Sequence, residues 1–173
     1  YIALILLFVF VTSCQKQEYD IVIRGGTVYD GTGKPGVVED VGINGDTIVA
    51  IGNLSDAVGK TEIDAKGMAV APGFINMLSH SWQTLILDGT GQSDVRQGVT
   101  LEVLGEISIA PMNETMKKQE LESMEKYPDF KYDIQWSTMG EYLEFLEKKG
   151  VSQNMAGFVG ANTIRVHELG YAN

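Results

Sequence analysis

The sequence predicts an α/β protein in which a small all-β region precedes the first units of a parallel βα structure. Three observations support this fold class. Short β-branched runs separated by glycine turns fill residues 19–70. A buried apolar strand is predicted directly after Pro72-Gly73. Beyond residue 98, apolar strands alternate with helical patterns, which is typical of βα units.

An apolar leader begins the chain, because the first eleven residues, Tyr1 to Val11, are all apolar. The run is shorter than the about 20 residues of a membrane-spanning helix, and it fits the core of a secretory signal whose basic start is missing. The sequence VTSC ending at Cys14 looks like a bacterial lipobox, which implies cleavage before Cys14 and lipidation of its thiol. An ordinary buried free cysteine is the alternative. We therefore expect residues 1–14 to be a partial lipoprotein signal peptide and residues 15–18 to be a tether.

The composition excludes several classes of partner and site. Thirteen basic and 23 acidic residues give a formal net charge of -10, which argues against nucleic acid as a partner because phosphate binding needs a basic face. Solubility at a crowded envelope surface accounts for this charge. Cys14 is the only cysteine, so an internal disulfide framework and a zinc site with several cysteine ligands are excluded.

Residues 19–70 are expected to form a short-stranded β-sandwich. Gly25-Gly26 predicts a turn after the first β-branched run. The sequence NGD at residues 44–46 lies between two apolar runs and predicts a hairpin. Pairing of several strands over one apolar face would stabilise this region. The predicted strands cover residues 20–24, 27–29, 38–43, 47–51, the vicinity of Ile63, and 68–70.

The next region begins with VAPGFINMLSH, residues 70–80. Pro72 cannot donate a ladder hydrogen bond and Gly73 permits unusual backbone angles, so this pair separates two elements. Phe74 to Leu78 predicts a short buried strand. A polar strand end that includes a histidine, here His80, is typical of the C-terminal face of a (β/α)8 barrel.

Helices and further strands follow in alternation. Thr138 and Glu141 form a capping box, and the apolar spacing behind them predicts a helix that reaches Lys149 and ends at Gly150. The apolar run NMAGFVG at residues 154–160 predicts the next strand, so that strand, helix and strand form parallel βα units. The remaining predictions are a helical turn at 94–97 capped by Ser93, a strand at 101–104 and a helix over 113–127.

Three sequence features resemble one known family. They are APGFI before a strand ending in His80, GVT at residues 98–100 before the second strand, and WSTMGEYLEFLEKKG followed by NMAGFVG. Together they resemble the N-acyl-D-amino-acid deacylases (D-aminoacylases) of the amidohydrolase superfamily, over residues 19–173. The resemblance implies the N-terminal part of a metal-dependent hydrolase, with a TIM barrel preceded by a composite β-sandwich. Residues 71–173 have room for about three βα units, so we expect an incomplete, truncated barrel.

The resemblance also implies zinc, as one or two ions, held by side chains at strand ends. The family's first strand ends in His-x-His, and the matching positions here are Leu78 and His80, so His80 alone can bind metal there. The family's second strand ends in Gly-Asn-Cys-Gly with a zinc-binding cysteine. Glu106 lies near that place, and zinc accepts carboxylate ligands. Alternatively, His80 is a polar residue with ordinary hydrogen-bond partners, and Glu106 is a buried or loop carboxylate without a metal-binding role.

Candidate contacts to the substrate follow the third predicted strand. The family often has Val-Gly-His there, whereas this chain continues through Gly160 to Asn162. Asn162 and Arg165 are the candidates, because a guanidinium can clamp a carboxylate through its planar fork, although a solvated arginine is the alternative. The general base, an aspartate of the eighth strand, and two further histidine ligands are expected beyond Asn173. His167 does not begin an HExxH zinc motif, since Tyr171 occupies the second histidine position.

Three hypotheses of function follow from these features. The first is a lipid-anchored enzyme of the bacterial cell envelope, on its periplasmic or surface side, that hydrolyses the linear amide C–N bond of an N-acyl (D-)amino acid with metal-activated water. Its partners would be that small-molecule substrate and the membrane, through the lipid at Cys14. The second is a non-catalytic envelope lipoprotein that keeps the fold without the metal site. The third is a cyclic-amide or dipeptide hydrolase of the same superfamily.

Overall fold

The computed structural model describes residues 16–171. They divide into two compact units, one ending at Pro72 and the other beginning at Gly73, whereas the sequence prediction placed this boundary after residue 70. Cys14 and the predicted signal peptide lie outside the described residues. Within the described range, no helix has both the length and the apolar character needed to cross a membrane.

The first unit is one mixed β-sheet of five strands. β1 lies at its centre, antiparallel to β2 and parallel to β4 and β5, and β3 pairs with the far side of β2. Tyr19, Val22 and Ala57 form its buried core. The described residues of this unit form this one sheet, and the β-sandwich stays a prediction. The strands are β1 (Glu18–Val28), β2 (Val37–Asn44), β3 (Thr47–Gly52), β4 (Val58–Asp64) and β5 (Ala69–Val70).

Two local predictions in this unit have opposite outcomes. The hairpin predicted from residues 44–46 is confirmed, since β2 and β3 pair antiparallel across it. The turn predicted at Gly25-Gly26 is wrong. β1 continues through both glycines, and its pairing with β2 shifts register between Ile23 and Gly26, which is a β-bulge. Gly25 takes φ +64° and its N–H donates to Asp40 Oδ1 at 2.8 Å, so the glycine bends the strand without ending it.

The second unit is built on a parallel sheet in the order β6-β7-β8. The parallel pairing confirms the predicted α/β class and the βα arrangement. β8 is shorter than predicted, because the chain leaves the sheet after Gly157 and enters a helix that the sequence did not predict. The strands are β6 (Phe74–Ser79), β7 (Val99–Leu104) and β8 (Asn154–Gly157).

Five helices accompany this sheet within the described residues. They are α1 (Thr84–Leu87), α2 (Gln92–Val95), α3 (Glu114–Met124), α4 (Met139–Lys149) and α5 (Ala161–Leu169). α4 confirms its prediction, since both hydrogen bonds of the capping box between Thr138 and Glu141 are present. The predicted cap of α2 is wrong. Gly91 occupies the cap position with φ +48°, and the Ser93 hydroxyl donates instead to the carboxylate of Asp94.

The apolar core of the second unit lies between the sheet and the helices. Leu104 of β7 packs there with Leu85 and Ile86 of α1 and with Tyr142 and Leu146 of α4. Trp136 is almost fully buried, and its ring centroid lies 5.1 Å from those of Tyr142 and Phe145. Aromatic pairs at this spacing add to the stabilisation from burial. The core therefore fixes α1 and α4 against β7.

The capping box of α4 gives a test of this part of the fold. The Thr138 hydroxyl accepts a hydrogen bond from the backbone N–H of Glu141 at 3.2 Å. Thr138→Ala leaves that N–H without its partner, so we expect the free energy of unfolding to fall by about 1 kcal/mol. Urea unfolding of the purified protein measures this change. Glu147→Ala, at an exposed position of the same helix, is the control, and an equal loss in both variants would contradict the role of the cap.

Candidate functional site

The carboxyl ends of β6, β7 and β8 lie side by side and form what we call the carboxyl edge of the sheet. Ser79 pairs with Leu104, and Leu104 pairs with Gly157. Because the strands are parallel, the residues that follow each of them emerge at the same edge. His80 directly follows β6, and Glu106 lies two residues beyond β7. The structure therefore brings the two predicted metal ligands to one edge.

Glu106 occupies a strained position at the carboxyl edge. Its φ of 57° makes it the one non-glycine residue with a positive φ among residues 16–171, and such a conformation costs on the order of 1 kcal/mol. The side chain is exposed. Backbone strain that persists in a native structure is typical of functional positions.

Gly160 makes this backbone arrangement possible. A Cβ atom added at Gly160 would overlap the carbonyl oxygen of Glu106, so only glycine allows the two backbones to approach this closely. The Gly160 N–H donates to the Ser108 hydroxyl at 2.9 Å, and the Thr163 hydroxyl donates to the Ser108 carbonyl oxygen at 3.1 Å. The loop after β7 and the start of α5 are therefore joined at the carboxyl edge.

His80 is exposed and follows the buried Ser79. The Ser79 hydroxyl donates to Glu102 Oε2 at 2.5 Å and accepts from the backbone N–H of Ser81 at 3.1 Å. Leu78, at the position where the resemblance implies a first histidine, is half exposed and carries no ligand atom. His80 is thus the residue of this strand end that offers a metal-binding nitrogen.

Glu102 was not predicted as a site residue. It lies within β7 and is fully buried, and its Oε1 atom has no hydrogen-bond partner in the described structure. A carboxylate inside the apolar run VTLEVL was the available sequence signal. It was missed because the partner, Ser79, is 23 residues away in the sequence.

A second buried polar side chain contacts the segment after His80. The Tyr142 hydroxyl of α4 donates to the carbonyl oxygen of Trp82 at 2.7 Å. Burial raises the pKa of the Tyr142 phenol, and the nearby Tyr132 and Glu102 raise it further. The phenol therefore keeps its proton, and remains a donor, throughout the physiological pH range.

Asn162 and Arg165 both lie on α5 and are exposed. Their spacing of three residues places them on one side of the helix. α5 begins beside Glu106, so Asn162 in its first turn lies closer to the carboxyl edge than Arg165 does. His167 lies further along α5, where its Nδ1 atom is 2.7 Å from the carboxylate of its neighbour Glu168.

His80 and Glu106 are the described residues at the carboxyl edge that could bind a metal ion. Imidazole and carboxylate are both zinc ligands, so the donor set of His80 and Glu106 fits this ion. A catalytic zinc usually takes three protein ligands, whereas residues 16–171 contain no group of three or more His, Cys, Asp or Glu residues that could hold a metal ion. A catalytic zinc site would therefore need at least one protein ligand in addition to His80 and Glu106.

The close approach at Gly160 gives a test of the site geometry. Gly160→Ala forces the backbones of residues 106 and 160 apart, so we expect a destabilisation of about 1–3 kcal/mol. Gly140→Ala is the matched control, because a Cβ atom at Gly140 meets no atom closer than 4.0 Å. In the first turn of α4 that alanine is expected to stabilise by at most about 0.5–1 kcal/mol. Urea unfolding measures both changes, and two effects of the same sign would contradict the geometry.

Comparison with known proteins gives the following matches. No protein-family model matches the chain. D-aminoacylase of Alcaligenes xylosoxydans xylosoxydans is 34% identical over 152 residues, which are 87% of this chain and 31% of that protein. A solved structure of D-aminoacylase with a binuclear metal centre superimposes with a TM-score of 0.72 at 34% identity, covering 86% of this chain and 31% of that chain.

A second solved structure agrees with these two matches. It is the N-acyl-D-glutamate deacylase of Bordetella bronchiseptica in complex with zinc and a phosphonate inhibitor, with a TM-score of 0.74 at 27% identity over 87% of this chain and 31% of that chain. The chain thus spans 31% of the length of each of these relatives. Over most of its own length, the chain is homologous to D-aminoacylase and N-acyl-D-amino-acid deacylases of the amidohydrolase family, hydrolases that act on non-peptide C–N bonds.

Proposed function

We propose that the complete protein is a metal-dependent amidohydrolase that hydrolyses the linear amide bond of an N-acyl-D-amino acid. The observation that carries this proposal is the position of an exposed His80 and a strained, exposed Glu106 after adjacent parallel strands, at one carboxyl edge, in a chain homologous to D-aminoacylase. We also infer that β6, β7 and β8 are the first strands of a TIM barrel, whose active site lies at this edge.

Zinc is the metal that this proposal assigns to the site. D-aminoacylase has a binuclear metal centre, and the N-acyl-D-glutamate deacylase binds zinc with a phosphonate that mimics the tetrahedral intermediate. When bound, zinc polarises a carbonyl group and lowers the pKa of a bound water. His80 and Glu106 would hold the ion in this chain. Leu78 contributes nothing to it, so the ligand set differs from the one that the resemblance implies.

The substrate would be oriented by groups that follow the third strand. Asn162 offers an amide close to the carboxyl edge, and Arg165 offers a guanidinium one turn further along α5. A planar guanidinium matches the carboxylate of an amino acid through two parallel hydrogen bonds. The proposal requires a general base and further metal ligands in addition to these residues.

The location of the protein rests on its leader sequence. The apolar run that ends in VTSC at Cys14 supports a lipid anchor on that thiol and a place at the bacterial cell envelope. Lipid attachment would hold the hydrolase at the membrane surface. The net charge of -10 would keep it soluble and away from nucleic acid.

The test of the activity uses the complete protein loaded with zinc. We expect release of free amino acid from N-acetyl-D-amino acids and none from the L-isomers. His80→Ala and Glu106→Gln each remove a proposed ligand, so kcat/KM should fall at least about 100-fold. His167→Ala, which changes a histidine outside the site, is the matched control and should keep wild-type kcat/KM.

Three results would contradict this proposal. Unchanged kcat/KM in His80→Ala removes that residue from the mechanism. A wild-type protein that holds no metal and shows no amidase activity favours a non-catalytic lipoprotein. Turnover of a cyclic amide or a dipeptide, with none of the N-acyl-D-amino acid, assigns the protein to another substrate class of the same superfamily.

The lipid anchor has its own test. In bacterial cells that express the complete protein, Cys14→Ser removes the thiol to be acylated. We expect the wild type to take up radiolabelled palmitate and to sediment with membranes, and the variant to do neither. Ser13→Ala, which changes the neighbouring residue but keeps the thiol, is the control. Membrane sedimentation of the unlabelled Cys14→Ser protein would contradict lipidation as the anchor.

A further inference from the structure

A buried carboxylate interrupts the apolar core beneath the candidate site. Glu102 has 0% exposure, and the neighbouring core is formed by apolar side chains such as Leu104 and Leu85. Its Oε1 atom has no hydrogen-bond partner in the described structure. Burying a carboxylate with incomplete hydrogen bonding is costly. Glu102 therefore needs an explanation beyond the stability of the core.

Ser79 connects this carboxylate to the end of β6. The Ser79 hydroxyl is buried, and its single proton is donated to Glu102 Oε2 at 2.5 Å. Because that proton is used, the lone pairs of the hydroxyl are left to accept a hydrogen bond. They accept the backbone N–H of Ser81 at 3.1 Å. The chain from Glu102 through Ser79 to Ser81 thus spans both neighbours of His80.

The next residues of the same segment are also held. The Ser81 carbonyl oxygen accepts from the Leu85 N–H at 2.9 Å and from the Thr84 hydroxyl at 3.1 Å. The Trp82 carbonyl oxygen accepts from the buried Tyr142 hydroxyl. Residues 79–82 are therefore fixed by contacts from β7, α1 and α4. The His80 imidazole itself remains exposed at the carboxyl edge.

We propose that Glu102, acting through Ser79, is a positioning residue that holds the segment carrying His80 in the conformation required for metal binding. The inference rests on the proposed function, because it assigns His80 to the metal. Groups behind a metal ligand fix its orientation, and their removal typically weakens metal affinity by about 10–100-fold. The buried Glu102 carboxylate accepts the Ser79 hydroxyl proton, which an apolar residue at this position could not do.

The experiment removes the pair without leaving a lone buried carboxylate. Ser79→Ala combined with Glu102→Leu in the complete protein replaces both groups by apolar ones, which is far less disruptive than removing one partner. Ser79→Thr keeps the hydroxyl and is the conservative variant. Ser152→Ala, at an exposed position between α4 and β8, is the matched control. A thermal midpoint in the double variant close to that of the control shows that the fold is kept.

Two measurements then decide the proposal. Hydrogen exchange followed by mass spectrometry on the metal-free proteins reports on peptides that cover residues 79–85. We expect about tenfold faster exchange in the double variant, because the Ser81 N–H loses its acceptor. Competition with a chelator gives the zinc affinity, which we expect to fall about 10–100-fold in the double variant. Ser79→Thr should keep the exchange rate and the zinc affinity near their wild-type values, and Ser152→Ala should change neither.

Each contrary result has a separate meaning. Wild-type zinc affinity in the double variant overturns the positioning role, whether or not exchange becomes faster. Wild-type exchange together with wild-type stability shows that the pair does not hold the segment, and this too overturns it. If the unchanged protein binds no zinc and hydrolyses no N-acyl-D-amino acid, the proposed function fails. The exchange experiment on the metal-free protein then decides by itself whether Glu102 and Ser79 hold the segment.

Discussion

The register of the three parallel strands is the constraint on which the candidate site depends. Because Ser79, Leu104 and Gly157 stand in adjacent positions of β6, β7 and β8, the segments after them leave the sheet at one edge. A different register would move the residues that follow one strand along the sheet relative to those that follow its neighbours. The position of the candidate site therefore depends first on how the strands pair, and only then on which side chains follow them.

Several features at the carboxyl edge lower stability locally. Glu106 has a left-handed backbone conformation, Gly160 allows a backbone contact that no other residue permits, and Glu102 buries an incompletely paired carboxylate. Natural proteins break local rules of this kind mainly where function requires it. The rest of the second unit offsets the cost through an aromatic and aliphatic core around Trp136 and Tyr142.

Under the proposed function, these residues would supply one part of a hydrolytic centre. The imidazole of His80 and the carboxylate of Glu106 would hold the metal, and the amide and the guanidinium on α5 would bind the carboxylate of the substrate. The homologous D-aminoacylases are longer proteins, of which this chain covers 31%. Leu78 is the clearest departure from the pattern that the resemblance implies. Because leucine carries no ligand atom, any metal ligand from this strand end would have to be His80.

The sequence by itself determined those features whose signals are local. The capping box of α4 and the hairpin at residues 44–46 depend on residues a few positions apart, and both were predicted correctly. Gly25-Gly26 and Ser93 were misread, because a glycine pair serves a bulge as well as a turn and a serine caps only where the backbone allows it. The tertiary structure alone decided α5, the strain at Glu106 and the bond between Ser79 and Glu102. These depend on strand register and burial, which bring together residues that are distant in the sequence.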